Sequence, residues 1–467
     1  MEYGLIGSKL GHSYSKIIHE MLCGYRYDLC PLPTEEEVRA FMTRRQFRAI
    51  NVTIPYKLVV MEYCSYIDPH AKAINAVNTI VNRNGLLYGY NTDYPGFSYL
   101  CDAHGVEFKD RTVLILGTGG THNTTWAVAH DRGAKQIYTV SRHPDPEKGE
   151  LTYAQALTTG AQIIINTTPV GMYPKENAAP LHYLPHKTEY VFDAIYNPPV
   201  TATMRLANPR KTATRDGLYM LVMQAAAAQT IWNGTQFDDA VYDQIARRVL
   251  AKMAVKRLHE KHGKKNLVLC GFMGSGKTTI GRKLARLTGL DFVDADQYLE
   301  EKEGMKISDI FAQKGEAYFR DRETAYIREL SQRDGIVLSL GGGAVLRPEN
   351  VAAVKETGLL IHLDTPFYRI LKNLSYSNNR PLLNRPDKQA ETRRLYNARK
   401  ALYHRVADIA VRSPRLSEVR KKCSSGGIGF EIGRQLLQED YNVVGCRYDI
   451  TNQRAEHYIA TTVEELI

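Results

Sequence analysis

Asn266-Leu267-Val268-Leu269-Cys270-Gly271-Phe272-Met273-Gly274-Ser275-Gly276-Lys277-Thr278 runs from five strand-forming residues straight into a glycine-rich loop. The loop fits GxxxxGK[ST] in full, and a helical pattern follows it. Strand, loop and helix in that order aim a row of backbone N–H groups at phosphate oxygens. Lys277 is placed to reach the β- and γ-phosphates, and Thr278 to ligate Mg2+. ATP is therefore the expected ligand, with Gly271, Gly274, Ser275, Gly276, Lys277, Thr278 and Thr279 as its contacts.

A second junction of the same kind lies far upstream, where Thr112-Val113-Leu114-Ile115-Leu116 meets Gly117-Thr118-Gly119-Gly120 and a helix-like stretch follows. Glycines there let a pyrophosphate approach the helix N-terminus. The next strand, Gln136 to Val140, would end an NAD site with an acid for the ribose 2′-hydroxyl. Here it ends in Ser141-Arg142-His143, with no acid before Asp145. A guanidinium suits a 2′-phosphate, so NADP is expected, with Gly117, Thr118, Gly119, Gly120, Ser141 and Arg142 as contacts. A third apolar run, Ile336 to Leu340, enters Gly341-Gly342-Gly343. Strand-like and helical runs alternate along most of the chain, which is the α/β pattern. Two nucleotide-type loops so far apart belong to separate domains.

Gross composition agrees. A chain of 467 residues suits two or three domains. Hydrophobic and charged fractions of 43% and 24% are those of a globular protein. No run of about 18 apolar residues is present, so no membrane partner is expected. The stretch from Met1 has no basic leader followed by an apolar segment, and the reading is cytoplasmic. Seven cysteines without CxxC spacing argue against a disulfide framework or a zinc site. The net charge of +11 gathers in Lys252 to Lys265 and Arg412 to Lys422. Solvated basic segments account for it, and no nucleic-acid partner is expected, since aromatic-plus-basic stripes are missing.

Residues 1–255 resemble the shikimate dehydrogenase family through seven motifs in order. They are Gly7-Ser8-Lys9-Leu10-Gly11-His12-Ser13-Tyr14-Ser15, Asn51-Val52-Thr53-Ile54-Pro55-Tyr56-Lys57, Ala76-Val77-Asn78-Thr79 and Asn91-Thr92-Asp93-Tyr94-Pro95-Gly96, then Asn166 to Met172, Asp193 to Pro198 and Gly217 to Gln224. The resemblance implies an α/β substrate domain (1–100 and 218–255) and a Rossmann NADP domain (101–217). It also implies a catalytic pair, Lys57 and Asp93, with Ser13, Ser15, Thr53, Asn78, Asp93 and Gln224 binding 3-dehydroshikimate. The chemistry asks for such a pair: reducing a ketone needs a proton on oxygen as hydride reaches carbon. Ser15 is also a candidate helix cap. Residue 75 is Asn where the family commonly has glycine, and Thr121-His122-Asn123 replaces the small and basic residues often found there.

Residues 266–413 resemble shikimate kinase, a parallel α/β P-loop domain of the nucleoside-monophosphate-kinase type. Phe292-Val293-Asp294-Ala295-Asp296 ends a strand. Asp294 would help hold Mg2+, and Asp296 would bind the acceptor hydroxyl and serve as base. Two acids one residue apart on a strand face opposite ways, so a shared role requires the strand to turn. Gly315 to Glu323 supplies Arg320, and Arg399-Lys400-Ala401-Leu402-Tyr403 supplies Arg399. The resemblance assigns these two arginines to the substrate carboxylate, Gly341, Gly342 and Gly343 to the pocket lining, and Arg380 of Arg380-Pro381-Leu382-Leu383 to a lid over the transferring phosphate.

Between the two parts, 256–265 reads as a helix end plus linker, and 414–467 as a peripheral extension. The combined implication is NADPH-dependent reduction of 3-dehydroshikimate followed by ATP- and Mg2+-dependent phosphorylation of shikimate. The alternatives are quinate or another hydroxy acid as substrate, or a site that senses its ligand without turnover.

Overall fold

Three of the apolar runs that meet glycine clusters are central strands in a computed structural model. The structure describes residues 1–11, 13–375 and 389–412, and the backbone of 388, 443–449 and 454–460. The chain divides into two compact units, Met1–Val249 and Leu250–Ile467.

The first unit holds two sheets. One contains β1 (Tyr3–Gly7), β2 (Asp28–Pro31), β3 (Ala49–Val52), β4 (Tyr66–Ile67), β5 (Thr79–Arg83) and β6 (Leu86–Tyr90) in the order β2-β1-β3-β5-β6-β4. Every residue of β1 and β3 is buried, so both faces of the sheet are covered. β5 pairs antiparallel with β3 and β6, and Asn51 stands opposite Thr79. Asn84-Gly85, both at positive φ, closes the β5–β6 hairpin in the way its two-residue turn requires.

The other sheet is wholly parallel, with β7 (Thr112–Leu116), β8 (Gln136–Val140), β9 (Ile163–Asn166), β10 (Tyr190–Asp193) and β11 (Ala213–Arg215) ordered β11-β10-β9-β7-β8. Strand order reverses between β7 and β9, and ligands of doubly wound sheets bind outside the strand ends at that crevice. Gly117 follows β7 and Thr167 follows β9, so both stand there.

In the second unit β12 (Asn266–Cys270), β13 (Asp291–Asp294), β14 (Ile336–Ser339), β15 (Gly358–Asp364) and β16 (Ile409–Arg412) are all parallel, ordered β13-β14-β12-β15-β16. β12 and β14 are buried throughout, and Leu269, Val337 and Leu338 are fully buried. Each such side chain contributes about 1.5–3 kcal/mol of burial. The backbone of β17 (Val443–Asp449) pairs antiparallel with that of β18 (Arg454–Ala460), within the stretch read as an extension.

The stretch read as a helix end plus linker divides at His262. The helix Asp239–His262 continues well past Ala254. Leu258 is buried with Leu267, Leu269, Leu363 and Ile409, so apolar burial holds this part of the helix to the second unit's core. Only Gly263 to Lys265 is non-helical before β12.

Candidate active sites

Lys57 lies in the turn after β3, and Asp93 opens the helix Asp93–Ala103 just after β6. Lys57 Nζ donates to Asp93 Oδ2 at 2.6 Å, and the two side chains are 20% and 15% exposed. A short, mostly desolvated ammonium–carboxylate pair is arranged to pass a proton.

Of the expected ligands, Asn78 and Gln224 meet Thr92, next to Asp93. Thr53 packs on the Gly7 loop so closely that a Cβ on Gly7 would stand 2.4 Å from Thr53 Cγ2. Ser13 Oγ accepts the Ser15 backbone N–H at 3.2 Å. Ser15 is the first residue of the helix Ser15–Cys23, whose cap position is Tyr14, so the capping role expected of Ser15 is not observed. Asn78 is bonded to the backbone N–H of Thr92, beside Asp93, at 2.8 Å. Gln224 comes from the helix Leu218–Asn233, and Gly96 lets that helix approach: a Cβ there would lie 3.0 Å from Met220 O and 3.1 Å from Gln224 N. His12 lies outside the described residues. Asn75 caps a helix at φ 58, a left-handed conformation that glycine adopts freely and asparagine tolerates, which reconciles it with the usual glycine.

At the dinucleotide loop, Gly117 has φ 104 and packs on Thr167 and Thr168. Gly119 and Gly120 meet nothing within 4 Å of an added Cβ, so backbone at the start of Gly120–Asp131 borders open space that a pyrophosphate would fit. Ser141 and Arg142 follow β8, and Arg142 is exposed. Asp145, the nearest acid, is engaged by Lys148 at 3.0 Å, and that contact holds its carboxyl below its ordinary range. The departures at this loop have local partners: His122 Nε2 meets Thr139 Oγ1 at 2.8 Å, and Asn123 Nδ2 donates to Ile74 O at 3.2 Å.

In the second unit Gly271, Gly274 and Gly276 all take positive φ, shaping the loop ahead of the helix Lys277–Thr288. Lys277 Nζ donates to the carbonyls of Gly271 and Phe272 at 2.9 and 3.2 Å. Thr278 Oγ1 donates to Asp294 Oδ2 at 2.7 Å, so two oxygen ligands of a kind suited to a hard cation stand together. The strand does turn between the two acids. β13 ends at Asp294, which caps the helix Ala295–Glu303, and Asp296 sits in its first turn.

The glycine run forms the wall between Asp296 and Arg320. A Cβ on Gly341 would stand 2.6 Å from Asp296 Oδ1, and one on Gly343 would stand 2.7 Å from Arg320 Nη1. Arg320 pairs with Glu323 at 2.7 Å and with Glu316 at 3.3 Å. Glu323 is buried, and burial pushes its carboxyl up against the opposing pull of Arg320. Tyr403 donates its hydroxyl to Gly342 O, and the nearby charge of Arg399 opposes the upward push of burial on its phenol, which puts the second arginine close to the same wall. Arg380 lies outside the described residues.

Sequence reading missed Glu323 and Tyr403 as parts of the pocket. Both stood inside quoted motifs, three residues after Arg320 and four after Arg399, spacings that place them on the same helix faces.

Residues 5–80 match the family model "Shikimate dehydrogenase substrate binding domain", and residues 273–425 match "Shikimate kinase". Shikimate dehydrogenase (NADP(+)) of Clostridium beijerinckii is 36% identical over 252 residues, covering 51% of this chain and 93% of that protein. Shikimate kinase of Cupriavidus pinatubonensis is 46% identical over 149 residues, covering 32% of this chain and 78% of that protein. A solved chorismate mutase/shikimate 5-dehydrogenase fusion protein from Clostridium acetobutylicum aligns with a TM-score of 0.50 and 37% identity, over 54% of this chain and 97% of that one. Fold and sites thus define a dinucleotide-dependent oxidoreductase and a P-loop kinase on one polypeptide. The chain belongs to the shikimate dehydrogenase family through its N-terminal part and to the shikimate kinase family through its C-terminal part.

Proposed function

We propose that the chain reduces 3-dehydroshikimate to shikimate at the Lys57–Asp93 site and phosphorylates shikimate at the Lys277–Asp296 site. NADPH, held by Gly117 to Gly120 with Ser141 and Arg142, supplies the hydride. Lys57 gives a proton to the ring ketone oxygen; the resulting amine takes a proton back from solvent, and the Asp93 carboxylate keeps it oriented and favours its charged form. Ser13, Ser15, Thr53, Asn78 and Gln224 hold the carboxylate and hydroxyls. This alignment of ketone against ammonium turns binding into rate.

In the second unit Lys277 binds the ATP phosphates together with the backbone of Gly271 to Thr279. Thr278 and Asp294 would hold Mg2+, whose chemistry when bound is to neutralise charge on the phosphates. Asp296 accepts the proton of the acceptor hydroxyl. Arg320 and Arg399 fix the carboxylate, a bidentate recognition that excludes neutral sugars. Arg380 is proposed to cover the transferring phosphate.

The observation carrying this reading is that one chain holds both the Lys57–Asp93 pair at 2.6 Å and a phosphate loop whose neighbouring glycine wall joins an acid to an arginine. The decisive experiment supplies 3-dehydroshikimate, NADPH, ATP and Mg2+ to the purified chain and follows shikimate 3-phosphate. NADPH left unconsumed, or shikimate accumulating unphosphorylated, defeats the corresponding half.

A further inference from the structure

Behind Asn78 the N-terminal unit buries a series of side chains that the proposed chemistry leaves unused. Thr79 is fully buried, and Asn51 and Thr92 are also buried. Asn51 Nδ2 donates to Thr79 Oγ1 at 3.0 Å. Thr79 Oγ1 donates to Asn78 Oδ1 at 3.0 Å and lies 3.0 Å from Thr92 Oγ1. At the far end, Tyr27 donates its hydroxyl to Asn51 Oδ1 at 2.7 Å. Near the pocket, Thr92 N and Thr92 Oγ1 reach Asn78 Oδ1 at 2.8 and 3.1 Å, and Thr92 Oγ1 is 3.4 Å from Gln224 Oε1.

Counting protons gives these contacts a direction. The Tyr27 proton can enter Asn51 only at its carbonyl oxygen, which turns that amide so that Nδ2 faces Thr79. Thr79 receives this N–H on its oxygen, and its proton has Asn78 Oδ1 and Thr92 Oγ1 within reach. The Thr92 backbone N–H can only donate, so the Asn78 atom it meets is the carbonyl oxygen, which accepts the Thr79 proton as well. With donors from both Thr79 and Thr92 on its carbonyl oxygen, Asn78 is locked in one of its two amide orientations.

We propose that Thr79 is a positioning residue for the reduction. Its hydroxyl fixes the Asn78 amide so that this side chain meets the substrate only as a donor, through Nδ2. The inference rests on Asn78 being a substrate ligand. Such an amide selects oxygen atoms with free lone pairs and rejects donors that cannot turn.

The test uses the full chain, varying 3-dehydroshikimate and NADPH in turn. Thr79→Val keeps the shape and removes the hydroxyl. It should raise KM for 3-dehydroshikimate about tenfold, the effect of one buried hydrogen bond, while lowering kcat by less than about threefold. KM for NADPH and the rate of shikimate phosphorylation should stay at wild-type values. Thr79→Ser should restore KM, a rescue that loss of packing alone would not give. An unchanged KM in Thr79→Val, or no rescue by Thr79→Ser, overturns the proposal. If Thr79→Val loses its cooperative melting transition, Tyr27→Phe decides. A rise of about threefold supports the relay and an unchanged KM defeats it. The wild type separates the two levels: an active wild type with an equally effective Thr79→Val defeats only this inference, whereas a wild type inert toward 3-dehydroshikimate defeats the assigned reaction.

Discussion

Around Lys57 and Asp93 the pocket is built of hydroxyls and amides, whereas around Asp296 it is built of guanidiniums, carboxylates and bare glycine backbone. Asn78, Thr92 and Gln224 are tied together by neutral hydrogen bonds. Arg320, Glu323 and Glu316 are tied by ion pairs. Both pockets are read as holding the same ring acid, so the difference reflects the reactions. A ketone reduction moves one proton and one hydride, and a single charged pair serves it. Phosphoryl transfer concentrates negative charge, and its site is dense with cations. Side chains that large can approach the pocket wall only where the wall has no Cβ, as Gly341 and Gly343 show.

The comparison is broken most sharply by paired substitutions. Lys57→Ala should lower NADPH-dependent reduction about a thousandfold or more, with phosphorylation kept near wild type. Lys277→Ala should do the converse, with a similar loss of phosphorylation. Both activities are read from one preparation by NADPH absorbance and by ADP release. Joint loss from either substitution would show that the two units do not act independently.

How much of this was legible beforehand follows from how local each signal is. The strands Thr112–Leu116 and Asn266–Cys270 were readable because a buried parallel strand is apolar on both faces, and the glycines after them set their ends. Lys57 and Asp93 are 36 positions apart, and only the resemblance joined them; the structure adds the direct pair. How far the helix runs past Ala254 was less legible, because Lys256 to Lys265 is rich in charge and looks solvated. What holds it is the tertiary burial of Leu258, and composition does not carry that information. The Tyr27–Asn51–Thr79 relay was equally hidden, since cross-strand register and not sequence spacing assembles it.

A smaller effect is expected where the second pocket borrows a neutral group. Tyr403 stacks on His362 at 5.2 Å between ring centroids, and its hydroxyl anchors Gly342. Burial pushes that phenol up to about 12, so it remains a donor at any ordinary assay pH. Tyr403→Phe retains the stacked ring and frees the Gly342 carbonyl. KM for shikimate should rise about five- to tenfold while KM for ATP holds, by steady-state kinetics with each substrate varied. An unchanged shikimate KM would mean that the glycine wall needs no such anchor, and the contrast between charged and neutral pockets would then be sharper still.

The least effect on turnover, and the clearest on stability, should come from a buried acid without a cation of Glu323's kind. Asp216 is buried, and its Oδ2 accepts no hydrogen bond from the described residues. Burial pushes its carboxyl up to about 7 from the ordinary 3.8, and Asp193, itself raised by burial to about 6, adds to the rise. Between pH 4 and 7 the folded chain keeps a proton that the unfolded chain has released, so stability falls as pH rises through that window. Below it both states are protonated and the difference vanishes; above it the full cost is present. Asp216→Asn can still accept the Leu218 N–H that Asp216 Oδ1 accepts at 3.1 Å, and it has no charge to bury. Its advantage over wild type should therefore be small at pH 4 and reach the order of 1 kcal/mol or more at pH 8, measured as the shift in thermal melting at each pH. An advantage that is equal at both pH values, or a loss at pH 8, would show that Asp216 is not a neutral acid held by burial. Glu323→Gln draws the contrast: it removes the partner of Arg320, and there the expected result is weaker acceptor binding rather than added stability.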